Sequence, residues 1–328
     1  METEELKSLR CPRCGAGFRM LVERTDGWVS CLQCDDSFAV GGSWGKVGKS
    51  FLYEIRIIPM TLAILAALFG GVLGWAVYGI KYNNLFLHVA NVFLVLWAAH
   101  LVDTLNDVKR GEYAHGYKAR IGFGGKAPRI DPKHYYFGIG VAYFVALMIS
   151  GILVHETGLL YALFAAGGIA LSVSYGSGLD RVFIGGDLAW EMGVILGFLG
   201  GYYVINASLD PPILAMIPIL MVVLFGVKIM DALPDYEVDK QSTPMKRTVP
   251  VVLGYGRAKN LAYVSALVGL AFLAWMMIPM LPVFLTVLTC IALVCASYRL
   301  DPRVGILWWA VGIMLLLVVS ILTTLYAI

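Results

Sequence analysis

Nine apolar runs of about twenty residues constrain this chain more than any other feature. They fall near 57–80, 85–105, 136–155, 158–176, 187–206, 212–231, 260–278, 281–298 and 305–327. A helix needs about 20 residues to cross the hydrocarbon core of a bilayer. Lipid offers no partner to an open sheet edge, so separate apolar runs of this length predict helices. The expected fold is an all-α polytopic bundle of nine transmembrane helices. With 59% hydrophobic and only 14% charged residues, an ordinary soluble domain is excluded. The net charge of +3 gives no sign of a nucleic-acid partner, and the first partner implied is the lipid bilayer. Gly70-Gly71 and Gly200-Gly201 mark places where helix backbones can approach closely.

Loop charges predict the orientation. The 107–134 loop carries seven basic residues and the 232–259 loop five, with Arg181, Arg299 and Arg303 in two further loops on the same side. The intervening loops are nearly uncharged, and basic loops stay in the cytoplasm. The polar N-terminus shows no signal peptide, so it is expected on the cytoplasmic side as well. With an odd number of spans the C-terminus falls on the other side. The expected location is the plasma membrane of a prokaryote.

Residues 1–45 have a different composition and are expected to form a separate small domain ahead of the membrane domain at 50–328. Cys11-Pro-Arg-Cys14 and Cys31-Leu-Gln-Cys34 hold four of the six cysteines. Paired CxxC knuckles fit a tetrahedral Zn2+ site of four thiolates. Phe18 to Ser30 reads as a hairpin around an Asp26-Gly27 turn. Together these features predict a zinc-ribbon β domain with a closed, structural metal site. Two disulfides are the alternative, and a cytoplasmic location argues against them. A protein partner of the ribbon is one role for it. Cys290 and Cys295 lie in an apolar span and read as small core residues.

Two acidic clusters carry the chemistry. The first, Asp103-Thr-Leu-Asn106-Asp107-Val-Lys109-Arg110, follows the second apolar run. The second, Asp231-Ala-Leu-Pro234-Asp235-Tyr-Glu237-Val-Asp239, follows the sixth and runs into Lys246-Arg247-Thr248-Val-Pro250. Residues four apart share a helix face, which groups His100 and Asp103 with Asp107, and Lys228 with Asp231 and Asp235. Pro234 is expected to loosen the second helix. Carboxylates at this spacing suit Mg2+, which takes a few of them together with phosphate oxygens.

The second cluster resembles the second aspartate motif of the UbiA-type membrane prenyltransferases, approximately DxxDxxxD followed by TLPxxxG. Here it reads Asp231, Asp235, Asp239, then Thr248-Val-Pro250 and Gly254. The first cluster is similar to the family's NDxxDxxxxxD motif. When Asp107 is aligned, the family's leading Asn falls on Asp103 and the next Asp on Thr104. The resemblance covers about 50–328 and leaves the ribbon as an added module. It implies nine helices around a central cavity and Mg2+-dependent transfer of a prenyl group from a prenyl diphosphate to a lipophilic acceptor, aromatic or lipid. It implies Asp103, Asp107, Asp231 and Asp235 as catalytic residues, and these with Asp239 as Mg2+ ligands. Arg56, Lys109, Arg110, Lys228, Lys246 and Arg247 are the candidates for gripping the diphosphate. Tyr175 and Arg181 lie where the family often has a Tyr-containing loop with a basic residue. Glu191 lies inside an apolar span and must face a polar cavity or the bundle interior.

Two other classes of function remain at this point. One is a non-catalytic relative that recruits a partner through the ribbon. The other is an ion-coupled transporter, whose carboxylates belong near the midplane between repeated halves. The clustering of acids at one membrane face, with no internal repeat, speaks against the transporter.

Overall fold

The structure is a computed structural model that describes residues 6–10, 17–21, 28–30, 37–39, 51, 57–78, 82–110, 132–241, 245–278 and 281–326. Four short strands come first: β1 (Leu6–Arg10), β2 (Gly17–Leu21), β3 (Trp28–Ser30) and β4 (Ser37–Ala39). β1 pairs antiparallel with β2, Leu6 opposite Leu21, and β3 with β4, Trp28 opposite Ala39. The hairpin expected around Asp26-Gly27 is therefore replaced by two others. β2 and β3 pair with β1 and β4, not with each other. Each CxxC segment lies in the stretch that joins the strands of one hairpin. The four cysteines themselves lie outside the described residues.

Eleven α-helices follow among the described residues. They are α1 (Ile57–Tyr78), α2 (Tyr82–Arg110), α3 (Pro132–Thr157), α4 (Leu160–Ser177), α5 (Gly185–Asn206), α6 (Pro211–Ala232), α7 (Tyr236–Gln241), α8 (Val249–Leu253), α9 (Tyr255–Met277), α10 (Leu281–Ser297) and α11 (Pro302–Tyr326). The nine long ones correspond to the nine apolar runs. Seven contain segments long and apolar enough to cross a membrane, and the apolar segments of α1 and α10 are shorter, Met60–Trp75 and Leu281–Ser297. Phe86, Phe144, Leu163, Trp275 and Leu322 point outward and are exposed. Such an apolar exterior suits lipid, not water.

Successive helices pack on one another, and α11 returns to α1, so the bundle closes. The tightest crossing is between α1 and α5. A Cβ on Gly70 would run into the Phe198 carbonyl, and one on Gly201 into the Ala67 carbonyl. Only residues without a side chain permit backbones this close. A second core joins α6, α9, α10 and α11 around Val227, Ile229, Met230, Val287 and Trp309. There Trp309 Nε1 donates to Ser297 Oγ at 2.8 Å, and Tyr263 lies edge-on to Trp309 with ring centroids 4.9 Å apart.

One group of polar side chains inside the bundle is tied together. His88 on α2 meets Tyr161 Oη through Nδ1 at 2.8 Å and the Gly197 carbonyl through Nε2 at 2.8 Å. A carbonyl only accepts, so Nε2 carries the hydrogen and Tyr161 donates to Nδ1. Asn91 Nδ2 donates to Ser150 Oγ at 3.0 Å and to Tyr161 Oη at 3.1 Å. This network links α2 to α3, α4 and α5.

Candidate functional site

The second acidic cluster begins where α6 ends. Leu233–Asp235 form a 3-10 turn containing Pro234, and α7 then restarts at Tyr236. The break matches the expectation from Pro234, whose ring cannot continue an α-helix. The chain then returns through Lys246 to α8, which has Pro250 in its first turn and ends at Gly254 with φ of 83°. That conformation favours glycine. The return is pinned to the cluster. Lys246 N–H donates to the Asp239 carbonyl at 3.3 Å, and Thr248 Oγ1 donates to Asp239 Oδ2 at 3.4 Å.

The result is a cleft of about 470 Å³, open to solvent, at one end of the bundle. It is lined by Asp231, Asp235, Asp239, Lys228, Lys246 and Thr248, joined by Tyr175 from the end of α4 and Asp187 from the start of α5. Asp187, Asp235 and Asp239 are only 6–7% exposed, although the space they line is open. Lys228 Nζ lies 3.1 Å from Asp231 Oδ2, and 5.6 and 5.8 Å from the ring centres of Tyr175 and Trp190. The cleft thus joins several carboxylates to two ammonium groups, a combination suited to an anionic ligand that is itself bound to cations.

Of the residues singled out from sequence, Lys228, Asp231, Asp235, Asp239 and Lys246 come together here. Arg247 is exposed and does not line the cleft. Asp103 is buried on α2, where that helix crosses α4 at Gly176, and is not among the lining residues. Asn106 Nδ2 donates to the Gly176 carbonyl, which fixes the first cluster at the same end of the bundle, beside Tyr175. Asp107, Lys109 and Arg110 continue α2, with side chains outside the described residues, and Arg56 lies outside them altogether. Asp187 escaped the sequence reading. Its signal was its place four residues before Glu191, in an otherwise apolar helix.

A second space lies deeper. Leu62, Ala66 and Phe69 of α1, Val194, Ile195 and Phe198 of α5, and Met216, Leu220 and Leu224 of α6 help to line an almost wholly apolar chamber, a partly open space of about 900 Å³. The same two helices, α5 and α6, line the polar cleft. Lys228 and Leu224 are four residues apart, roughly 6 Å along the helix axis. Cleft and chamber together suit a ligand with an anionic head and an apolar tail.

Among the described residues no three of His, Cys, Asp and Glu are grouped to hold one metal ion. Mg2+ does not require such a group, because it is commonly held by one or two carboxylates plus substrate phosphates. The spread of Asp231, Asp235 and Asp239 around one cleft fits that mode.

No protein-family profile and no curated protein sequence matches the chain. Solved structures do. A UbiA homolog from Archaeoglobus fulgidus bound to DMAPP and Mg2+ superposes with a TM-score of 0.63 at 13% identity, covering 84% of this chain and 99% of that one. A structure of digeranylgeranylglyceryl phosphate synthase gives 0.60 at 13% identity, covering 86% and 99%. The apo UbiA homolog from Aeropyrum pernix K1 gives 0.58 at 12% identity, covering 80% and 97%. At these identities the likeness is one of fold, and the helical bundle of this chain has the fold of the UbiA homologs.

Proposed function

We propose that this protein is an intramembrane prenyltransferase that moves a prenyl group from a prenyl diphosphate to a lipophilic acceptor. The observation that carries this is the polar cleft set along the same two helices as the apolar chamber. Fold neighbours with DMAPP or GPP and Mg2+ bound support it.

Asp231, Asp235 and Asp239 would hold Mg2+ at the cleft, and Asp103 and Asp107 of the first cluster, at the same end of the bundle, are the further candidates. Mg2+ held by these carboxylates would neutralise the diphosphate and make it a better leaving group. Lys228 and Lys246 contribute point charges to the phosphate oxygens, and Lys109, Arg110, Arg247 and Arg56 are the further candidates for that grip. Tyr175, which lines the cleft, presents its aromatic face to the Lys228 ammonium and helps to hold that charge in place. The chamber holds the tail and keeps water from the reacting carbon.

In this proposal all nine long helices cross the membrane, and the cleft and N-terminus face the cytoplasm with the basic loops. Cys11, Cys14, Cys31 and Cys34 bind a structural Zn2+. The two hairpins support this assignment, because each CxxC falls between the strands of one of them. The experiment is to incubate purified protein with geranylgeranyl diphosphate, Mg2+ and a membrane lipid extract, and to measure diphosphate release and prenylated product. Release with a new prenylated lipid is expected. Intact donor in the presence of folded protein contradicts the proposal.

A further inference from the structure

Four carboxylates line the polar cleft, Asp187, Asp231, Asp235 and Asp239, against two ammonium groups, Lys228 and Lys246. A diphosphate brings further negative charge, so the cleft repels it until cations are present. Three of the carboxylates belong to the end of α6 and the short elements that follow it. Asp187 does not. It stands in the first turn of α5 and reaches the same space from that helix.

Asp187 is only 6% exposed, yet it lines the cleft. Among the described residues no hydrogen bond or close ion pair engages its carboxylate. The helix dipole favours an acid in this turn, which accounts for the residue type but not for its burial. A carboxylate taken out of water without a donor is costly unless a cation comes to it. The charged groups that act on Asp187 are Lys228 and Asp231, and Lys228 is engaged by Asp231 Oδ2 at 3.1 Å. Two carboxylates from two helices therefore share one ammonium. Oxygen ligands arranged in this way suit a hard divalent cation.

We infer that Asp187 is a further metal ligand, and that one divalent cation bridges Asp187 of α5 and Asp231 of α6 before any diphosphate binds. This rests on the reading of the cleft as a Mg2+ and diphosphate site. The charge of one such cation equals the excess of two negative charges in the cleft, so the diphosphate then meets a neutralised wall. Because α5 and α6 also line the apolar chamber, the cation ties together the two helices that flank both head and tail of the donor.

The full chain in detergent is titrated with Mn2+, which takes the same oxygen ligands as Mg2+. No diphosphate is present, and free Mn2+ is read by electron paramagnetic resonance. Wild type should bind Mn2+, and Asp187→Asn and Asp187→Ala should each bind it about tenfold more weakly or worse. The Asn variant keeps the shape of the side chain and carries the test if the Ala variant does not fold. Stability of the metal-free proteins is measured as well, since a purely structural Asp187 would change that stability and leave Mn2+ affinity alone. Wild-type Mn2+ affinity in folded Asp187→Asn, or no Mn2+ binding by wild type without a diphosphate, overturns the bridging site. Mg2+-dependent binding of a non-hydrolysable geranylgeranyl diphosphate analogue to wild type is followed in parallel. Its absence removes the donor site itself. Its presence with unchanged Mn2+ affinity in the variants removes only the role of Asp187.

Discussion

Gly201→Ala tests whether the backbone crossing of α1 and α5 holds the bundle at its present width. The new Cβ would meet the Ala67 carbonyl, with the carbonyl carbon and the Gly71 nitrogen just behind it. These are backbone atoms, so no side chain can rotate away. The helices must separate by about 1.4 Å or more to restore ordinary contact distances. Overpacking of this kind is destabilising by about 1–3 kcal/mol. The control is on the same helix. Gly193 has nothing within 4 Å of its would-be Cβ. Gly193→Ala should therefore be neutral or slightly stabilising, because alanine is the better helix former by up to about 1 kcal/mol. Unfolding in mixed micelles, followed by tryptophan fluorescence, reads the difference. A second readout is affinity for a prenyl tail, since α1 and α5 both wall the chamber. Equal stability of the two variants would refute the account of this crossing.

Other expectations follow from single contacts. Lys246→Ala should weaken a non-hydrolysable prenyl diphosphate analogue by about tenfold in equilibrium binding, the loss expected of one charge-assisted contact, with the fold unchanged by circular dichroism. Tyr161→Phe removes the hydroxyl shared by His88 and Asn91 and should lower stability by about 0.6–1.7 kcal/mol, the range for such bonds in membrane bundles; an unchanged midpoint would show that the network is idle. Elemental analysis of purified protein should find one Zn2+ per chain, lost in Cys11→Ser/Cys14→Ser, while Mg2+-dependent analogue binding persists.

The helices were legible in the sequence because lipid imposes one strong rule. Backbone groups must be satisfied within the segment, so apolar length alone predicted all nine long helices to within a few residues. Pro234 announced the turn after α6 for an equally local reason. The strand pairing was not legible. Asp26-Gly27 is a good hairpin turn in isolation, and no local signal showed that the strands around each CxxC would pair instead. The site was legible where charge interrupted apolar sequence, as at Lys228, Asp231, Asp235 and Asp239. It failed where burial depends on tertiary packing. Lys246 and Arg247 are adjacent and chemically alike, yet only Lys246 is turned into the cleft, because its backbone is bonded to Asp239. Asp187 reaches the cleft only because α5 begins beside the end of α6, a neighbourhood that one sequence does not display.

The most direct test of the central claim is binding of a non-hydrolysable geranylgeranyl diphosphate analogue to the full chain, with and without Mg2+, in wild type and Asp235→Ala. The expected result is Mg2+-dependent binding in wild type, and a loss of about 10–100-fold or more in the variant as the proposed metal ligand is removed. Metal-independent binding, or full affinity in a folded Asp235→Ala protein, would contradict the assignment of this cleft as the prenyl diphosphate site.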